Sequence, residues 1–209
     1  MPHPFFVSLD GLDGTGKTTQ CRLLAHWLRG QGYQTIQCTD PGGTAVGKVI
    51  RDLLLDHKQA MSLPCEALLF MASRAQLTAE IIRPALAAGR VVVADRYLLA
   101  NVVYQGHAGG LDPARLWGVG RMATGGLEPD LTLVLDLPAE IASSRRSGPP
   151  DRMESRDAAY QARVREGFLA EARRMPDKIR VIDAAQPREA VHEAICKEVS
   201  RVLATRPRP

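Results

Sequence analysis

The chain has 209 residues, 45% of them hydrophobic and 24% charged, and a net charge of +4. These values fit one globular domain with a core of ordinary size and exclude a disordered or fibrous chain. No apolar run approaches the length of a membrane span, and Met1-Pro2-His3-Pro4 lacks the charged start of a secretory signal, so a cytoplasmic protein without a membrane partner is expected. Cys21, Cys38, Cys65 and Cys196 show neither C-x-x-C spacing nor clustering and are expected as small buried residues, not as a metal site or disulfide frame. No aromatic-rich basic stripe points to nucleic acid, so the positive charge is assigned to a pocket for polyanionic small molecules and a basic tail.

In chain order, the apolar run Phe5-Phe6-Val7-Ser8-Leu9 predicts a first strand. It runs into Gly11-Leu12-Asp13-Gly14-Thr15-Gly16-Lys17-Thr18, which fits the phosphate-cradling pattern G-x-x-x-x-G-K-[ST]. Glycines there let backbone N–H groups turn inward, and the helix predicted over Thr19 to Arg29 offers its positive end to an anion. Lys17 would reach the β and γ phosphates of a nucleotide, and the Thr18 hydroxyl would ligate Mg²⁺. Gly30 and Gly32 stop this helix.

A short second strand follows at Thr35 to Cys38, then the turn Asp40-Pro41-Gly42-Gly43-Thr44 and a helix marked by Val46, Val49, Ile50, Leu53 and Leu54. Residues 57–62 read as a loop. One long helix is expected from about Pro64 to Leu86, broken or kinked at Pro84. On it Phe70, Arg74, Leu77 and Ile81 share a face; an arginine in such a stripe is hard to bury unpaired, so this face is expected to border a cavity. Val91-Val92-Val93-Ala94 reads as a strand buried on both sides and ends in Asp95-Arg96-Tyr97. His107, among glycines, is expected as a solvated loop residue. Asp112-Pro113 reads as an N-cap and first helical residue of a helix through Met122. Leu131 to Leu135 is the fourth strand, followed by a helix near Ile141. Residues 145–152 are basic and Gly/Pro-rich and predict a mobile exposed loop. A helix through Tyr160, Val164 and Phe168 ends at Pro176, Ile179 to Ile182 forms the fifth strand, and Val191 to Leu203 the last helix. The tail 205–209 is expected to be disordered.

Strands alternating with helices predict an α/β fold of the P-loop NTPase type: three layers, with a five-stranded, mostly parallel sheet between helices, in a single domain over 1–209. Ligands bind beyond the carboxyl ends of such strands. That rule gathers the phosphate loop, Asp40, Asp95-Arg96 and the segment after Asp136 at one edge, as a nucleotide site with a second polar pocket beside it. The phosphate loop alone leaves open any nucleotide or nucleoside kinase, and also a nucleotide-hydrolysing switch, although no N-K-x-D guanine signature is present. A nucleoside kinase would need a carboxylate base, for which Asp10 or Asp40 could serve.

The combination of Asp10 to Gln20, Asp40-Pro41-Gly42-Gly43-Thr44, Leu68-Leu69-Phe70 with Ala72-Ser73-Arg74-Ala75-Gln76, Asp95-Arg96-Tyr97, Tyr104-Gln105-Gly106 and Pro129-Asp130-Leu131-Thr132 resembles thymidylate kinase over nearly the whole chain. The resemblance implies transfer of a phosphoryl group from ATP to dTMP, with Mg²⁺, in a homodimer. It implies that Gly11 to Thr19 bind ATP and that Lys17, Arg96, Arg152 and Arg146 are catalytic. Thr18 and Asp95 would serve the metal. Asp13 would accept from the dTMP 3′-hydroxyl, Phe70 would stack on thymine, Arg74 would bond its edge, and Arg96 would hold the dTMP phosphate. Tyr104 would pack under the sugar, Asn101 and Gln105 would line the base pocket, and Asp40 belongs to the same substrate set. One branch of the family has an arginine where this chain has Gly14; the other takes it from a lid, here about 145–156, and Asp151-Arg152-Met153-Glu154 matches that second pattern. The chain departs from the family at Asp10, where glutamate is common, at Thr39-Asp40, where Arg-Glu is common, and at Ala100, where serine is common.

Overall fold

A computed structural model describes residues 4–145, 152–153 and 155–205. Its five strands are β1 (Phe5–Asp10), β2 (Thr35–Thr39), β3 (Val91–Asp95), β4 (Leu131–Asp136) and β5 (Ile179–Asp183). They form one sheet in the order β2-β3-β1-β4-β5, and every pairing is parallel. The sheet is therefore wholly parallel where the sequence predicted it mostly so.

Side-chain alternation divides β1 and β3 between two cores. Phe5, Val7, Leu9, Val91 and Val93 face one layer, formed by α1 (Lys17–Gly30), α8 (Ala158–Arg174) and α9 (Arg188–Ala204). Phe6, Val92 and Ala94 face the other, formed by α3 (Leu63–Leu77), α4 (Arg83–Ala87) and α6 (Pro113–Thr124). A strand with helices on both faces has no polar side, which is why β1 and β3 read as unbroken apolar runs. The remaining helices are α2 (Ala45–Leu55), α5 (Leu98–Asn101) and α7 (Ala139–Ser144).

Helix starts follow capping chemistry. Asp112 Oδ1 accepts from Ala114 N at 2.8 Å with Pro113 at the first position, as expected, and Asp157 Oδ1 accepts from Tyr160 N at 2.7 Å.

Several expectations change. The single helix over 64–86 is three pieces: α3, a π-helical segment Thr78–Ile82, and α4. Pro84 has no N–H to give to the carbonyl four residues back and its ring crowds that carbonyl; widening the preceding turn relieves both. The wider turn rotates the stripe, so Ile82 is fully buried whereas Ile81 is only partly so. On α2, Val46, Val49 and Leu53 are exposed, and of the five apolar markers only Leu54 is buried. Cys21 and Cys38 are buried as expected, but Cys65 is exposed and Cys196 half-buried, because their helix positions face outward. His107 is no solvated loop residue: it lies in a second π-helical segment, Val102–Ala108, and its Nε2 is 2.9 Å from Glu171 Oε1. Arg145 caps the end of α7. The rest of the predicted lid, apart from residues 152–153 and 155–156, and the tail 206–209 lie outside the described residues; Thr205 closes α9. Among the described residues no helix is long and apolar enough to cross a membrane.

Candidate functional site

The carboxyl ends of β1, β2 and β3 open into a cleft of about 640 Å³. The β1–α1 loop forms its floor. Gly11 sits at φ 133°, and a Cβ there would come within 2.6 Å of the Leu135 carbonyl oxygen, so only glycine lets the loop pass this close to β4. Gly16, at φ 91°, is the left-handed residue from which α1 starts. The α1 N-terminus thus points into the cleft, with its backbone donors and dipole available to an anion.

Lys17 is buried, and its Nζ donates to the Leu12 carbonyl at 2.7 Å and lies 3.5 Å from Asp13 Oδ1. Burial and the nearby Arg96 guanidinium lower its pKa, while Asp13, Asp95 and Asp10 act in the opposite sense. Thr18 Oγ1 donates to Asp95 Oδ2 at 2.5 Å, so the loop hydroxyl and the β3 carboxylate converge at one point.

Arg96 follows β3 in the left-handed region, at φ 70°, the only such non-glycine among the described residues. A non-glycine there costs on the order of 1–3 kcal/mol and persists where its surroundings over-determine it. Here they do: Arg96 N donates to the Leu9 carbonyl at 2.9 Å, its Nη2 donates to Asp13 Oδ1 at 2.6 Å, and its guanidinium lies 5.0 Å from the Tyr104 ring centre. Burial would push Asp13 up, but the Arg96 and Lys17 charges outweigh it and hold the carboxyl well below the usual range. Asp10 lies deeper. Burial pushes it up to about 6 against the pull of Arg96 and Lys17, and its Oδ1 has no hydrogen-bond partner among the described residues.

The second pocket is walled by α3 and the α5 region. Phe70 is partly exposed on the cleft wall, and Arg74, one turn on, is fully buried. Arg74 Nε donates to Asp40 Oδ2 at 2.5 Å and Nη1 donates to Asn101 Oδ1 at 3.0 Å. The arginine in the α3 stripe therefore does border a cavity, and the shorter carboxylate of Asp40 still reaches it. The end of α5 and the π-helical turn after it place Asn101, Tyr104 and Gln105 on the same wall.

The cleft brings together Asp13, Gly14, Gly16, Lys17, Thr18, Thr19, Asp40, Phe70, Arg74, Asp95, Arg96, Asn101, Tyr104 and Gln105, drawn from positions far apart in sequence. Gly11, Leu12 and Thr15 shape the loop from behind without lining it. Arg152 is not on the cleft wall: its Nη1 lies 2.6 Å from Glu66 Oε2 and its Nε donates to the Leu54 carbonyl at 2.7 Å. Its neighbour Met153 does line the cleft, as does Arg145. Arg146 lies outside the described residues. Asp136, at the end of β4, holds Arg165 through two bonds of 2.7 and 2.8 Å and does not line the cleft.

Sequence reasoning missed Arg51, Arg145 and Glu66. Arg51 lines the cleft and donates to the Pro41 carbonyl at 2.9 Å, but in an amphipathic helix it reads as a surface charge. Glu66 reads as an acidic residue in the first turn of α3, where it suits the dipole.

No group of three or more metal-ligating side chains occurs among the described residues. Mg²⁺ is compatible with that, since it is commonly held by one or two protein oxygens together with phosphates and water. The Thr18 hydroxyl beside the Asp95 carboxylate is the hard oxygen pair that could hold it.

Residues 9–195 match the family model for thymidylate kinase. Thymidylate kinase of Rhodopirellula baltica is 47% identical over 196 residues, covering 92% of this chain and 80% of the relative. That of Symbiobacterium thermophilum is 44% identical, covering 96% and 95%. The crystal structure of thymidylate kinase from Ehrlichia chaffeensis matches with a TM-score of 0.79 at 28% identity, over 95% of this chain and 99% of that one. A phosphate loop facing an arginine-lined second pocket, and a match along nearly the whole chain, lead to one conclusion: the chain belongs to the thymidylate kinase family.

Proposed function

We propose that the cleft transfers a phosphoryl group from ATP to dTMP, giving ADP and dTDP. The observation that carries this reading is the meeting of two polar subsites: the Gly11–Thr18 loop at one end and the Phe70, Arg74 and Asn101 wall at the other, with Arg96 and Asp13 between them.

The acceptor is a phosphate monoester whose second pKa is about 6, so it is already a nucleophile at neutral pH. The site needs no general base; it must align two anions and neutralise the charge that gathers on the transferring group. Lys17 supplies charge at the donor phosphates, exchanging the Leu12 carbonyl for phosphate oxygen. Arg96, fixed by Asp13 and the Tyr104 ring, supplies it at the acceptor phosphate. Thr18 and Asp95 would hold Mg²⁺, which when bound offsets the charge of the donor phosphates. Phe70 offers a ring face to the base, and Arg74 with Asn101 offers polar edges. Asp13 accepts from the sugar 3′-hydroxyl, and Gln105 completes the wall. Arg152 is the arginine we assign to the transition state, because Gly14 brings no charge. Arg146 is the second choice.

A second copy of the chain is the partner we assign. Val46 and Val49 on α2, Leu68 on α3 and Met122 on α6 are all at least half exposed, and α3 packs against both other helices. Such a set of apolar side chains is what an isologous contact would cover.

Lys17→Ala tests the site. Turnover should fall by at least a thousandfold while dTMP binding changes less than about threefold, because the lysine serves donor phosphates. A variant that keeps near-normal kcat would overturn the donor-site assignment.

A further inference from the structure

Glu66 is buried at 1% exposure, close to the cleft but absent from its wall. Its two oxygens serve different ends of the site. Oε1 accepts from Gln105 Nε2 at 2.9 Å. Oε2 takes Arg152 Nη1 at 2.6 Å and Arg156 Nη2 at 3.2 Å. Two guanidinium groups thus share one carboxylate.

The bond to Gln105 is the last link of a chain. Arg74 Nη1 donates to Asn101 Oδ1 at 3.0 Å, and Asn101 Nδ2 donates to Gln105 Oε1 at 2.8 Å. Gln105 then donates to Glu66. A guanidinium can only donate and a carboxylate only accept, so the two amides between them have a single consistent orientation. Every link is buried, where such a series is worth more than its separate bonds. The chain joins the Arg74 wall to the two arginines on the far side of Glu66.

From this geometry we propose that Glu66 is a positioning residue for phosphoryl transfer: it fixes Arg152 and Arg156 beside the cleft, in register with the acceptor wall. The proposal rests on the phosphoryl-transfer reading above. Glu66→Gln separates its two jobs. The amide oxygen can still accept from Gln105, but the amide nitrogen turns a donor toward two donors, and the arginines lose their anchor.

The test is a double-mutant cycle on the full chain, reading kcat and dTMP affinity separately. The wild type is assayed first: no transfer to dTMP overturns the function and, with it, a positioning role for Glu66 in that transfer. With wild-type transfer in hand, Glu66→Gln should lower kcat tenfold or more while dTMP affinity moves less than threefold. In an Arg152→Ala or Arg156→Ala background, the same change should cost less than threefold for at least one of the two. Full additivity in both backgrounds, an unchanged kcat, or a parallel loss of kcat and dTMP affinity would each overturn the proposal. Should Glu66→Gln not fold, the cycle runs with Glu66→Asp, which keeps the charge and shortens its reach, under the same criteria.

Discussion

Asp10 is a group that burial makes costly to charge. It is buried, one of its oxygens is unpartnered among the described residues, and burial lifts its pKa to about 6 from an ordinary 3.8. A raised carboxyl binds a proton more tightly in the folded chain than in the unfolded one. Stability therefore falls as pH rises from about 4 to about 6 and then levels off, by at most about 3 kcal/mol from this group. Asp13 has the opposite sign: held low by Arg96 and Lys17, it contributes stability above the ordinary carboxylate range that is lost on acidification. Asp10→Asn isolates the first effect. The stability of the variant relative to wild type should rise between pH 4 and pH 7, as read by denaturant unfolding at each pH. A relative stability that stays constant or falls over this range would mean that burial does not raise the Asp10 pKa. At the other face of the site, the Tyr104 hydroxyl is 3.2 Å from Arg96 Nη2 and 3.3 Å from Asp13 Oδ2, which fixes the ring on the cleft wall, where the proposed function puts the sugar. Tyr104→Ala should narrow the preference for dTMP over its ribose analogue, whereas Tyr104→Phe, which keeps the ring, should retain it. An unchanged ratio in the alanine variant would make Tyr104 purely structural.

Among the elements, α6 shows how closely space governs sequence. Gly118 and Gly120 lie two residues apart in it. A Cβ on Gly118 would meet nothing within 4 Å, but one on Gly120 would come within 2.1 Å of Leu98 Cδ1. Gly118→Ala should stabilise the fold by about 0.5–1 kcal/mol, the helix-propensity gain. Gly120→Ala should cost about 1–3 kcal/mol through overpacking against α5. Thermal unfolding of the two variants checks the pair, and shifts of the same sign would contradict this packing. Nothing in the sequence distinguishes these glycines, because the distinction lies in a partner from another element. The same limit explains what was and was not legible elsewhere. The strands of the buried sheet were legible because both faces demand apolar residues, and the phosphate loop because its backbone demands glycine at fixed spacing. The π-helical turns were not, because a 3.6-residue period assumes a uniform helix: Ile81 fits the stripe on paper, yet the turn before Pro84 buries Ile82 instead. Glu66 was hidden by an adequate local role in the first turn of α3. Its partners, Gln105, Arg152 and Arg156, stand tens of residues away.

For the whole molecule, the order β2-β3-β1-β4-β5 places β1 between β3 and β4, so the phosphate loop leaves the middle of the sheet. The strand ends on one side of it deliver Asp95-Arg96 from β3 and, beyond that, Asp40 from β2 to the same cleft. The phosphate loop, Asp40 and Arg96 are thus set by one sheet edge, while α3 and the α5 region supply the opposite wall of the cleft. This arrangement makes the identity of the acceptor depend on the wall that faces the phosphate loop. Discrimination by the methyl group of thymine should be modest, since one methyl in an apolar pocket is worth about 1–3 kcal/mol. Discrimination against purines should be larger, because a two-ring base needs more room beside Phe70, Arg74 and Asn101 on the cleft wall than a pyrimidine does. The most direct measurement is ADP release from ATP and Mg²⁺ with each nucleoside monophosphate in turn, and with thymidine as the unphosphorylated control. The highest kcat/KM is expected for dTMP, a lower value for dUMP, and little or no turnover with purine monophosphates or thymidine. A purine monophosphate or thymidine as the best acceptor would contradict that expectation.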